Sequence, residues 1–519
     1  MQHIVNRQVI ELSLRDANGA FHLQQQVSSQ FYQRMLAILE RVFDSLGDEG
    51  ELISFDQLVI DMGSVTEKAI QDGSWTEELY AQLSGQAQVL IREGGGRRKT
   101  LRRPIGAGIL RQWLDYMRTG WLPWNVTVID RRWLQLLLEH LAADHEAVTV
   151  LRENLLGRPV VLRRVVLQHD SRFLMSLTEV LTASDQAALP AALAELELIA
   201  RTLSKSLAAD RDRSGAPDRQ RPIDIQTLWS AALRAAANPG TGRKTPAIVQ
   251  ALLAELIGAP VEGGTAASVA MATLLHVQLA DRIPYCGPLL AELADAVSPP
   301  PEVTAPLESP SSSVAQPVET RSALIPEATH PADQTAIAEQ HRSLEEGIFV
   351  PYAGMVILHP LLPTFFTRLG LVKDGEFVDE AAQRRGLPLL HYAVTAGTYT
   401  ADDQEGGAPE YELSIARVLC GFPLSEPVAR HFIPTAAEIE EIDGLLDACL
   451  AQWTKLGTTS RAGLRGNFLH RAGRLQQKDG RMRLDVERSS IDVLLDYLPW
   501  PLSLIRLPWM KEILHVNWR

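Results

Sequence analysis

Several groups of residues in this chain have the types that could do chemistry, and each meets a spacing that works against it. Asn238–Pro239–Gly240–Thr241–Gly242–Arg243–Lys244–Thr245 comes nearest to a phosphate-binding loop. Such a loop needs a glycine just before the lysine and another five residues earlier, so that backbone N–H groups wrap the phosphates. Arg243 and Asn238 hold those positions. The segment also follows a helical run ending at Ala237 rather than a strand. It is expected to be a helix C-terminal turn that enters the next helix at Pro246. His140 and His145 are five residues apart, more than a quarter turn off one another's helix face. A zinc-protease helix needs four, with a glutamate beside the first histidine. His359, before Pro360 in an apolar run, is expected to be buried and hydrogen-bonded. Asp56 and Asp61 fall on opposite faces of a strand and share no site.

Nucleophiles fare no better. No G-x-S-x-G elbow is present. Cys420 and His391 can be written as nucleophile and base, but Cys420 lies in the apolar helical end Arg417–Val–Leu–Cys–Gly–Phe422, where an inert core thiol is expected. Cys286, Cys420 and Cys449 have neither zinc spacing nor a disulfide framework. Gly94–Arg103 carries five basic side chains in seven positions. That is a phosphate or acidic-partner site on one reading and a solvated loop on the expected one. No catalytic, cofactor or metal residue is expected. Trp113, Trp121, Trp124, Trp500, Trp509 and Trp518 fit a domain core and a partner interface equally well.

The elements that would position these residues follow from periodicity. Ile10, Leu12 and Leu14 alternate as a half-buried strand. Val27, Phe31, Met35, Leu39, Val42 and Leu46 mark one face of a helix, and Leu58, Ile60 and Met62 alternate again. Residues 1–93 are therefore expected to hold a strand–helix–strand unit. Residues 94–207 hold helices, beginning with Ile109, Leu110, Trp113, Leu114 and Met117 and closed by Gly120 as a C-cap. Residues 208–222 are a polar loop, and 223–297 are helical again. Residues 298–342, with Pro299, Pro300, Pro301, Pro306, Pro310, Pro317, Pro326 and Pro331, are expected to be an extended, disordered linker. Residues 343–519 form a compact α+β domain. There Asp479–Gly480 signals a hairpin, Ser490 caps a helix that Pro499 ends, and Leu514, Val516 and Trp518 alternate as a last strand. The fold class is mostly α with small α+β elements.

The 519 residues suffice for two to four domains. Hydrophobic content of 46% and charged content of 22% are ordinary for a soluble protein. A net charge of −13 argues against dedicated nucleic-acid binding. No run is apolar enough to span a membrane. No signal peptide is read at Met1–Arg7, so a cytoplasmic protein is expected.

Several blocks carry a resemblance: Ile4 to Gly63; "WLDYMRTGWLPWNV" from Trp113; "IFVPYAGMVILHPLLPTFF" from Ile348; "PEYELSIARVLCGFPL" from Pro409; and the proline–tryptophan segment Leu498–Met510. Together they resemble the tape measure protein family of extracellular contractile injection systems, which are phage-tail-like particles. The resemblance covers both ends of the chain. It implies a non-enzymatic protein that sets or completes inner-tube length, without cofactor or catalytic residue. It implies tube, baseplate-hub or spike proteins as partners, and cargo as a further one. The protein would be cytoplasmic during assembly and inside the tube thereafter. A length ruler is expected to be one long helix, whereas this chain has 30 prolines and 35 glycines. A soluble assembly factor or scaffold is the alternative, and an unrecognised hydrolase a distant third.

Overall fold

The computed structural model describes residues 34–46, 51–55, 57–92, 100–123, 125–126, 128–211, 223–240, 243–258, 282–297, 331–397, 407–478 and 480–518, with single residues 3, 5, 11, 13 and 279. These form a mostly α structure with small sheets. Two compact units are present. One comprises Met1–Trp113 and Pro123–His140, the other Leu114–Leu122 and Leu141–Arg519.

In the first unit, residues 34–44 are helical. Strand β1 (Glu51–Phe55) is followed by helices α1 (Glu67–Asp72) and α2 (Trp75–Arg92), then strand β2 (Thr100–Pro104). β1 and β2 pair antiparallel, from Glu51 opposite Pro104 to Phe55 opposite Thr100. Trp75, Leu79 and Leu83, a turn apart on α2, bury against Ile38 and Val42. The expected strand at Ile10–Leu14 lies outside the described residues. The expected strand at Leu58–Met62 requires correction. These residues alternate in exposure as predicted, and Leu58, Ile60 and Met62 pack on the helix core, but they join no ladder. Alternation reports a half-buried extended chain and is silent about pairing partners. The basic segment is corrected in part: Thr100–Arg103 lie in β2, and the residues before them lie outside the described set.

The second unit opens with the end of helix α3 (Ile105–Thr119), closed by Gly120 at φ +85 whose N–H reaches the Tyr116 carbonyl at 2.8 Å. After α4 (Arg131–Ala143) come α5 (His145–Gly157), α6 (Pro159–Gln168), α7 (Ser171–Thr182), α8 (Leu189–Arg211), α9 (Ile225–Ala237), α10 (Thr245–Gly258) and α11 (Cys286–Val297). Asp144, Asp170 and Asp224 accept backbone N–H groups as caps of α5, α7 and α9. α9 packs against α5, α6, α7, α8 and α10. Its buried Ala231, Ala232, Ala236 and Ala237 leave room for so many neighbours. The expected polar loop 208–222 is corrected at its start, because α8 runs to Arg211; residues 212–222 lie outside the described residues.

The expected linker 298–342 is corrected at its end. Residues 298–330 lie outside the described residues, but Pro331–Glu346 is helix α12. Pro331 stands at its first position, where a missing N–H costs nothing. The C-terminal domain follows: β3 (Ile348–Val350), a 3-10 helix (Ala353–Leu361), α13 (Leu362–Arg368), β4 (Val372–Lys373), β5 (Glu376–Phe377), α14 (Glu380–Thr395), α15 (Ser414–Cys420), α16 (Ala436–Gln452), α17 (Arg461–Leu464), β6 (Gly473–Lys478), β7 (Arg481–Val486), β8 (Leu504–Ile505) and β9 (Leu514–Asn517). Its main sheet has the order β3-β6-β7-β9-β8, with β7 and β9 parallel. Leu475, Leu484, Leu514 and Val516 point into the core. The β6–β7 hairpin turns at Gly480, φ +70, as predicted. The capping residue after it is Ser489 rather than Ser490. It exchanges bonds with Asp492 at the head of a 3-10 helix (Ser490–Tyr497). No described helix is long and apolar enough to cross a membrane.

Candidate partner-binding site

Asn238 is the C-cap of α9 and Thr245 opens α10; Thr241 and Gly242 between them lie outside the described residues. His140 lies in the last turn of α4 and His145 begins α5. His359 is half-buried, with Nδ1 3.0 Å from the Val356 carbonyl. His391 Nε2 lies 2.6 Å from Glu412 Oε2, and Cys420 is buried in a wholly apolar end of α15. Burial pushes the Cys420 thiol up, and Cys449 up to about 12, so neither is a thiolate nucleophile. Asp61 is exposed and accepts the Gly63 N–H; Asp56 lies outside the described residues. Among the described residues no cluster of His, Cys, Asp and Glu could hold a metal.

Of the tryptophans, Trp124 lies outside the described residues. Trp113, Trp121, Trp509 and Trp518 are buried, and Trp500 is partly so. The irregular C-terminal segment is stitched to the core by its indoles. Trp500 Nε1 donates to the Ile357 carbonyl at 3.1 Å, and Trp509 Nε1 to the Leu419 carbonyl at 2.8 Å. The Trp509 ring meets Phe366 and Phe377 edge-on, with centroids 5.7 and 5.1 Å away.

Sequence reading missed a buried charge network. Arg164 on α6 donates from Nε to Glu410 Oε2 at 2.9 Å, and Arg417 on α15 from Nη2 to Glu410 Oε1 at 2.8 Å. All three side chains are at most 2% exposed. Arg164 Nη1 also donates to the Met117 and Arg118 carbonyls, and Arg417 to those of Leu424 and Glu426. Gln168 accepts from Tyr116 Oη and from the Glu410 N–H, and donates to the Val428 carbonyl. Burial raises the Tyr116 phenol well above its ordinary value, with the Glu410 charge adding to it. Gly120 must be glycine here: a Cβ would stand 2.6 Å from Glu410 Oε1. A signal was present in the sequence. Val161, Arg164, Val165 and Gln168 recur at helical spacing, which puts two polar side chains on an apolar face.

Beside this network lies a cavity of about 310 Å³ whose apolar lining includes Trp121, Leu344, Phe422, Met482, Met510 and Leu514, with Gln340, Gln477, Lys511 and Glu512 also on its walls. Its volume is at the small end of the range of sites that take up small molecules. Residues 2–518 match the model of the contractile injection system tape measure protein family. The chain belongs to that family. No curated protein and no solved structure gives a match. Family membership makes the role a structural one within such a particle. A tape measure protein is held by contacts with tube and other particle components, so surfaces and anchors are what its structure has to supply.

Proposed function

We propose that this tape measure protein sets or completes the length of the particle's inner tube. The match across nearly the whole chain is the observation that carries the reading. The tube, baseplate-hub and spike proteins are its proposed partners, with cargo as a further one. It acts without catalysis, is cytoplasmic during assembly and lies within the tube afterwards. Of the five described tryptophans of the sequence set, Trp500 alone keeps part of its ring accessible, so partner contact through that set falls to Trp500.

A second reading has an observation of its own. The longest described helix, α8, has 23 residues. The helices pack into buried cores instead of forming one rod. That favours a folded assembly factor that leaves the particle on completion. Deleting helical segments of two sizes and measuring tube lengths by electron microscopy separates the readings. Graded shortening supports the ruler. Fewer particles of unchanged or unregulated length support the assembly factor. Normal tubes from a full deletion of the gene overturn both.

A further inference from the structure

Within the second unit, a helical layer and the C-terminal domain meet at a seam whose chemistry is unlike that of either interior. The helical layer has its own buried residues, Leu151, Val161, Val165, Leu177, Leu196, Leu228 and Leu253 among them. The C-terminal domain's apolar cluster is built from residues 344 onward, with one exception, Trp121. The seam between them is mainly polar. It contains the Arg164–Glu410 pair, Gln168 against Glu410 and Val428, the Arg430 N–H on the Leu167 carbonyl at 2.9 Å, Arg163 against Glu426 at 3.6 Å, and Gln340 on the Thr119 carbonyl at 2.6 Å. Tyr116 also meets Tyr411 edge-on across it, with ring centroids 5.6 Å apart.

We propose that this seam is a joint, at which the helical layer and the C-terminal domain part as folded bodies and Trp121 leaves its pocket. Interfaces rich in hydrogen bonds exchange their partners for water at small net cost, whereas large apolar ones do not. The charge arrangement favours parting in the same sense. Two guanidinium groups and one carboxylate leave a surplus positive charge in the closed seam, and Arg417 Nε has no hydrogen-bond partner among the described residues. Of the buried triad, opening carries away Arg164 alone. Glu410 and Arg417, seven residues apart, stay paired on the C-terminal domain.

Trp121 is the one residue before Leu344 in the C-terminal domain's apolar cluster, and its indole N–H is left without a partner among the described residues. Trp453, Trp500 and Trp509 each donate their indole N–H to a carbonyl of the C-terminal domain. The buried Trp121 N–H finds no partner among the described residues, a property it shares with Trp518. The adjoining cavity is lined in part by the Trp121 side chain. Parting would uncover an apolar pocket walled by Phe422, Met482, Met510 and Leu514, and the helical layer would act as its cover.

Hydrogen exchange of the full chain under native conditions tests this. The Arg430 and Glu410 amides bond across the seam, while amides of β6 and β7 report the C-terminal core. The joint requires seam amides to exchange through an opening that leaves the sheet and α9 protected, with a shallower denaturant dependence than the sheet's. Trp121→Ala should speed seam exchange roughly tenfold or more and leave sheet protection unchanged. Seam and sheet amides exchanging at one rate with one denaturant slope would overturn the proposal. The measurement on the unaltered chain decides this even where the variant fails to fold.

Discussion

Glu410 is the residue on which two buried guanidinium groups depend. Glu410→Gln leaves both without a counter-charge and should cost about 3–5 kcal/mol, read as a lowered urea midpoint at unchanged slope. Replacing the set together, as Arg164→Met, Glu410→Leu and Arg417→Met, should cost less than that single change, because no charge is left uncompensated. His169 supplies a pH test. Its Nδ1 lies 2.9 Å from the Val165 carbonyl and its ring stacks on Phe173 at 4.3 Å. Burial lowers its pKa from 6.5 to about 4, with the nearby Arg430 acting in the same direction and the Val165 carbonyl and Asp170 against it. The fold therefore prefers the neutral ring. Its contribution is present above pH 6.5 and is lost as pH falls toward 4, up to about 3 kcal/mol for a ring that keeps some exposure. His169→Gln removes this titration, so melting temperatures at pH 7 and pH 4.5 should differ less than in the unaltered chain. An equal difference in both would show that His169 carries none of the acid sensitivity.

At the scale of elements, the proline–tryptophan segment is held by ring packing and two indole hydrogen bonds. Trp509→Ala should cost about 3–5 kcal/mol, because it removes a buried ring and leaves the Leu419 carbonyl without its donor. A retained melting temperature in that variant would contradict the packing. Gly354 is bound by its neighbour's backbone: a Cβ would fall 1.8 Å from the Phe468 carbonyl oxygen. Gly354→Ala should therefore lower the melting temperature by forcing the 3-10 helix (Ala353–Leu361) off the chain at Phe468. Elements made by local chemistry were legible in the sequence. α3 with its Gly120 cap, the β6–β7 turn and the last strand each declare themselves within a dozen residues. Pairings of distant residues were not. β1 finds β2 across 45 residues from Phe55 to Thr100, and nothing in either strand names the other. Arg164 and Glu410 are 246 residues apart, so the ion pair could not be read even though Arg164's place on an apolar face could. The tryptophan count drew attention to Trp121 without revealing that it enters a core built by residues two hundred positions later.

For the whole molecule, the proposed length-setting role is tested by whether tube length falls with each deleted residue. α8 has 23 residues and α7 has 12. Helical residues rise ~1.5 Å each, so their removal from a chain laid along the tube as helix should shorten it by about 35 and about 18 Å. A fully extended chain would lose about 76 and about 40 Å, at ~3.3 Å per residue. A protein acting as the folded body described here gives neither series. Both helices carry buried core residues, Leu193, Leu196 and Ile199 on α8 and Leu174 and Leu177 on α7, so both deletions should unfold it and lower particle number. Tube lengths and particle counts from the two deletions therefore yield a slope, and the slope names the state of the chain during assembly. We expect the helical slope under the length-setting function. A zero slope with intact particle number would show that the helical middle contributes neither length nor essential structure, and would count against a ruler built on it.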